Sequence, residues 1–130
     1  MLNDQQKKAV ESTLGRVLIL AGAGSGKTSV LANRIAHLIK NMGVSPSEIL
    51  GLTFTNKAAE EMRHRVGRFV EPSAAKKVTL CTFHSFCIQV LRKDIHHLGF
   101  TTEFSLYDEK DVKRVLTQLV KYSLEHEGDL

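Results

Sequence analysis

The run Ala21-Gly22-Ala23-Gly24-Ser25-Gly26-Lys27-Thr28 holds the residues whose types and spacing most plainly carry chemistry. Small residues let successive backbone N–H groups turn inward around an anion, and a helix beginning at Gly26 would add the positive end of its dipole. Lys27 is spaced to reach the β and γ phosphates of a nucleoside triphosphate, and Thr28 to offer its hydroxyl to Mg²⁺. Ala21 stands where the usual pattern has its first glycine. Gly22 and Gly24 still free the loop, so the implied chemistry is nucleoside triphosphate binding. The loop by itself does not separate the many enzyme classes that use it.

Such a loop needs a strand before it and a helix after it. Arg16 to Ala21 is a β-branched, apolar run of strand length, and Val30, Leu31, Ile35, Leu38, Ile39 and Met42 recur at helical spacing up to the stop at Gly43. A short polar helix is predicted over residues 4–12, capped by Asn3 or Asp4. Ser45-Pro46-Ser47 makes a return turn, and Pro72 marks another. Ile49 to Phe54 reads as a second buried strand, followed by a helix with Ala58, Ala59, Met62, Val66 and Phe69 on one face. Val78 to Thr82 reads as a third strand, and Phe83, Phe86, Cys87, Val90, Leu91 and Ile95 line the helix after it. Strands alternating with helices predict an α/β fold, a parallel sheet with helices on both faces and right-handed crossovers.

After Gly99 the pattern changes. Asp108, with Asp111 three residues on, resembles a helix cap before Val112, Val115, Leu116, Leu119 and Val120, the start of a second, helical unit. The final Glu-His-Glu-Gly-Asp-Leu has no partner element, which suggests that the chain stops partway into that unit.

The 130 residues are 42% hydrophobic and 25% charged, without repeats or low-complexity runs. The apolar stretch Val17 to Ala21 falls far short of the ~20 residues that cross a bilayer, and the polar opening shows no export signal. A cytoplasmic protein with no membrane partner is expected. Cys81 and Cys87 are then expected to be reduced and buried. Residues 1–97 carry 14 Lys and Arg against 7 Asp and Glu, and residues 98–130 carry 4 against 7. The basic part is where a polyanion would bind, although a solvated charged face is the simpler reading of charge alone.

Three further strings accompany the loop: Leu2-Asn3-Asp4-Gln5-Gln6-Lys7-Lys8-Ala9-Val10, the run Leu52-Thr53-Phe54-Thr55-Asn56-Lys57-Ala58-Ala59-Glu60-Glu61-Met62, and Thr82-Phe83-His84-Ser85. Together they resemble the N-terminal part of UvrD/Rep/PcrA-type superfamily 1 DNA helicases, and the resemblance runs over nearly the whole chain. It implies a P-loop NTPase (RecA-like) fold, with residues 1–97 forming the first part of ATP-binding subdomain 1A and residues 98–130 the beginning of helical subdomain 1B. It implies ATP hydrolysis coupled to 3′→5′ stepping on single-stranded DNA and to unwinding at duplex junctions, with ATP and Mg²⁺ as cofactors. By the same resemblance Gln6 bonds the adenine edge, whose donor and acceptor suit a carboxamide. Phe54 offers a face to a base or sugar, Thr55 and Asn56 hold a phosphate at a helix start, and Thr82 and His84 continue the DNA path. Read without the resemblance, Phe54 is core and Thr55 or Asn56 a plain helix cap.

Ser29 stands where family members often carry an arginine that stacks on adenine, so a guanidinium platform is lost here. Two lookalikes are set aside. Cys81, His84 and Cys87 are spaced like zinc ligands but lack a local fourth. Leu106-Tyr107-Asp108-Glu109 imitates the acidic box of an ATPase, yet it alternates and then starts a helix. The true acidic box and the second RecA-like domain with its arginines are expected downstream, leaving this chain an N-terminal fragment and, alone, a poor ATPase. A non-catalytic nucleotide- or DNA-binding module and a helicase–nuclease subunit remain as alternatives. A small-molecule kinase fits less well, because the string at residues 52–62 serves no such enzyme.

Overall fold

The computed structural model describes residues 2–126. The chain forms two compact units, with the boundary between Gln89 and Val90. The first unit contains α1 (Asp4–Glu11), α2 (Lys27–Lys40), a 3₁₀ turn (Pro46–Glu48), β1 (Leu50–Thr53), α3 (Asn56–Val66), α4 (Pro72–Lys77) and β2 (Thr79–Thr82). Helix α5 (Phe83–Asp94) spans the boundary, and a 3₁₀ turn (Ile95–Leu98) and α6 (Glu109–Glu125) follow it.

β1 and β2 pair in parallel, Leu50 opposite Thr79 through Thr53 opposite Thr82. The crossover between them is α3 and α4, as a parallel pair requires. Gly51 and Leu80 share one face, and there the core gathers Ala32, Ile35 and Ala36 of α2, Met62 and Val66 of α3, Ala75 of α4, and Ile49, Val70 and Val78. Leu50, on the other face, is exposed. Gly51 is required for this packing, since a Cβ built there would run into the buried Leu80 side chain, next to Ile35. Gly51→Ala is therefore expected to lower stability by ~1–3 kcal/mol through overpacking, read as a depressed thermal midpoint. An unchanged midpoint would mean that Leu80 can turn aside.

Several expectations need correction. The predicted strand Arg16 to Ala21 is extended chain with no sheet partner among the described residues, and Leu18 and Leu20 are 83% and 87% exposed. A strand apolar on both faces is stabilised only by neighbours along its edges and layers above and below it, and the described two-stranded sheet supplies neither. Helices on both faces of a sheet are therefore not seen; the core lies on one face. Pro72 starts a helix rather than marking a turn, its preset φ suiting the first helical position. Cys87 is exposed and Cys81 only half-buried, both as free thiols. No residue of α5 is buried; of its predicted apolar face Phe86 is half-buried while Phe83, Cys87, Val90 and Leu91 are exposed.

In the second unit, Arg92 donates to the carbonyls of Thr102 (2.9 Å) and Phe104 (3.3 Å), and its guanidinium lies 4.7 Å from the Phe104 ring centroid. These contacts fasten the segment before α6 to the C-terminal half of α5. The predicted cap forms: Asp108 accepts from the Asp111 N–H at 2.9 Å, and the Asp111 carboxylate accepts in return from the Asp108 N–H at 3.3 Å. That contact commits Asp108 to starting a helix, in keeping with setting aside the acidic-box lookalike. The stripe of Val112, Leu116, Leu119 and Val120 is exposed. Of the final six residues, 127–130 lie outside the described residues, so their lack of a partner element is not addressed.

Candidate nucleotide and nucleic-acid site

The loop 21–28 has the backbone its sequence demands. Gly24 and Gly26 take positive φ values of 72° and 77°, where a side chain would be strained, and Gly26 is the N-cap of α2. The Lys27 ammonium folds over the loop and donates to the carbonyls of Gly22 (2.6 Å) and Ala21 (3.2 Å). Ser25 closes the turn, its hydroxyl donating to the Gly22 carbonyl at 2.6 Å. Ala23 is exposed at the tip, while Thr28 and Ser29, in the first turn of α2, are half-buried. The Ser29 carbonyl accepts from the Asn33 side chain at 2.8 Å.

Gln6 joins this loop to α1. It is the third helical residue, and its Oε1 accepts from the Asn3 N–H at 2.9 Å while Asn3 Oδ1 accepts from the Gln6 N–H at 2.8 Å. The cap orients the carboxamide so that Nε2 donates to the Ser25 carbonyl at 3.0 Å. A carboxamide has two donor hydrogens and two acceptor lone pairs, so one donor and one lone pair remain for a ligand. The same Nε2 lies 3.3 Å from where a Cβ on Gly26 would sit, so a side chain there, besides straining the backbone, would press on the Gln6 carboxamide. Arg34 of α2 donates to the Ala9 carbonyl at 2.6 Å and clamps the two helices together.

Between α1 and the loop lies a cleft of about 400 Å³, within the size range of small-molecule sites. Asn3, Gln5, Gln6 and Ala9 line one side, Ala21, Gly22, Ser25 and Lys27 the loop side, and Ile19, Leu20, Val30 and Leu31 an apolar wall. Sequence reasoning offered Asn3 as a cap of α1 but missed that it sets the Gln6 carboxamide; the signal was an Asn followed three residues later by a Gln, the capping box. The apolar wall was read only as strand and helix core.

The second cluster sits at the C-terminal edge of the sheet, the edge at which open α/β sheets generally bind ligands. The pairing of Thr53 with Thr82 brings the segments after β1 and β2 side by side. Phe54 is 92% exposed, so it is not core. Thr55 caps α3, its hydroxyl accepting from the Ala58 N–H at 3.1 Å, and Asn56 is exposed at the first helical position. His84 is exposed in the first turn of α5. Thr82 behaves differently from the expectation: it is 7% exposed, accepts from the Ser85 N–H at 3.1 Å and donates to the Ser85 hydroxyl at 2.9 Å. A hydroxyl so engaged holds the turn and is not free for a phosphate. Cys81, His84 and Cys87 form no metal-holding group among the described residues. No described helix is long and apolar enough to cross a membrane.

Residues 2–129 match the UvrD/REP helicase N-terminal domain. The chain is 45% identical over 120 residues to the ATP-dependent DNA helicase PcrA of Staphylococcus aureus (strain Mu50), and 46% identical over 120 residues to that of Staphylococcus epidermidis (strain ATCC 12228). These matches cover 92% of this chain but only 16% of either relative. With the family match spanning nearly its whole length, the chain belongs to the UvrD/REP helicase N-terminal domain family.

Proposed function

We propose that this chain is the nucleotide-binding and leading single-stranded-DNA-binding part of an ATP-dependent DNA helicase acting at duplex junctions with 3′→5′ polarity. The observation that carries the reading is Gln6, fixed by the Asn3 cap and bonded to the Ser25 carbonyl of the Gly-Lys-Thr loop. A carboxamide with one donor and one acceptor left, at one end of a cleft with Lys27 at the other, suits adenine and phosphates together. In this reading α1 presents Gln6 to the base, and the apolar wall excludes water from it. The loop N–H groups and Lys27 then hold the phosphates, Lys27 exchanging its carbonyl partners for phosphate oxygens.

The residues present also fit a metal-bound nucleotide, since Thr28 lies in the first turn of α2 beside Lys27. Thr28 would hold Mg²⁺, which when bound offsets phosphate charge.

Residues 1–97 are proposed as the first part of a RecA-like subdomain 1A, and residues 98–130 as the start of 1B. The carboxylates that position water and the arginines of a second RecA-like domain would come from the rest of the whole protein, of which its relatives have far more. A neighbouring strand from that remainder would pair with Val17 to Leu20. A cytoplasmic role in DNA repair or replication accords with the family.

The adenine reading has its own check. Gln6→Ala is expected to weaken ATP binding by ~0.5–1.5 kcal/mol, the net worth of ordinary hydrogen bonds, and to bring ATP and GTP closer in competition against a fluorescent nucleotide. If the variant still prefers ATP by the parent ratio, Gln6 does not read the base.

A further inference from the structure

The exposed ring of Phe54 does not stand alone. Because Thr53 faces Thr82 across the parallel pair, Phe54 and Phe83 are the residues that directly follow the two neighbouring strands at one sheet edge. Their ring centroids are 6.0 Å apart and their planes inclined by 50°, within the ~4.5–7 Å range of favourable tilted aromatic pairs. The two residues are held unequally. Phe83 opens α5, in a turn pinned by the buried Thr82 hydroxyl through its two bonds with Ser85. Phe54 lies in the short link between β1 and α3, outside both elements.

The geometry also decides where a base can go. Stacked bases rise about 3.4 Å per step, so two parallel rings with a base between them would stand roughly twice that apart. Rings tilted by 50° at 6.0 Å leave no such slot. Phe83 therefore flanks Phe54 on one side only, and the Phe54 ring, 92% exposed, is open to solvent on the other.

We propose that Phe83 is a positioning residue that holds the Phe54 ring upright at the sheet edge, so that its free face takes one unpaired nucleobase. This rests on the proposed reading of that edge as a single-stranded-DNA path. The pairing supplies what an isolated, nearly fully exposed ring lacks, a fixed orientation before the ligand arrives, which lowers the entropic cost of binding.

The test is the fluorescence anisotropy of a labelled oligothymidine titrated with the 130-residue chain at fixed salt. Phe83→Leu is expected to weaken binding about 2- to 10-fold, the range of an aromatic pair, and Phe83→Tyr to retain it. In a Phe54→Ala background Phe83→Leu is expected to add no further loss. Should Phe83→Leu fail to fold by its thermal midpoint, Phe83→Met is read in the same way. Parent-like binding by Phe83→Leu beside a weakened Phe54→Ala would overturn the positioning role and leave the DNA path standing. A loss that persists without Phe54 would also overturn it, because Phe83 would then act on DNA directly. No effect of Phe54→Ala, or no binding by the parent chain, would overturn the DNA path and the positioning role with it.

Discussion

Lys27→Ala is expected to weaken binding of MgATP by about 1.5–3 kcal/mol, roughly ten- to a hundredfold, which is what a hydrogen bond to a charged group contributes. The side chain is exposed, and its hydrogen bonds within the protein go to the carbonyls of Gly22 and Ala21. Those carbonyls return to water when the ammonium is removed, so the thermal midpoint should move little, as for other exposed substitutions. Titration with a ribose-labelled fluorescent ATP, together with a melting curve, separates the two effects. Equal affinity in parent and variant would remove the loop from phosphate binding. A collapsed fold would mean that the lysine holds the loop together.

The second large effect is at the sheet edge. Phe54→Ala is expected to cost ~1–3 kcal/mol of single-stranded-DNA affinity, the worth of one base stacked on an aromatic ring, with stability nearly unchanged. The 92% exposure of Phe54 supports that separation, because a ring so open contributes little burial to folding. Its affinity should fall alike for oligothymidine and for mixed sequences, since every base presents a π face. A sequence-dependent loss would point to an edge contact instead of stacking.

Much of this arrangement was legible in the residues alone, for identifiable reasons. The loop is legible because glycine spacing and Gly-Lys-Thr have few other uses, and its positive φ values fall at Gly24 and Gly26. Strands β1 and β2 are legible because each run is paired and backed by a core within the same chain. The cap at Asn3 and the Asp108–Asp111 box are local features that need nothing distant. What failed depended on distant partners. Val17 to Leu20 has the composition of a buried strand, but composition cannot supply the neighbours that bury it. The apolar positions of α5 and α6 failed in the same way, since periodicity identifies a face and not its cover. Helix α4 escaped notice because Pro-Ser-Ala-Ala-Lys-Lys has no apolar period and buries only Ala75.

Thr82 and Thr55 show why residue roles are harder to read than elements. Either hydroxyl could meet a phosphate or cap a helix, and both cap helices here. Thr55 remains exposed and can still face an anion, whereas Thr82 is buried. Sequence presents the two as equals; only burial separates them.

The central claim, that α1 and the loop form one nucleotide site, is tested most directly by following backbone and side-chain amide NMR signals of the 130-residue chain during titration with MgATP. The expected result is that the amides of residues 22–28 and the Gln6 carboxamide shift together along one saturable curve. Shifts confined to the loop with Gln6 unmoved would contradict a shared site, and saturation without any response from residues 22–28 would contradict the phosphate-binding assignment itself.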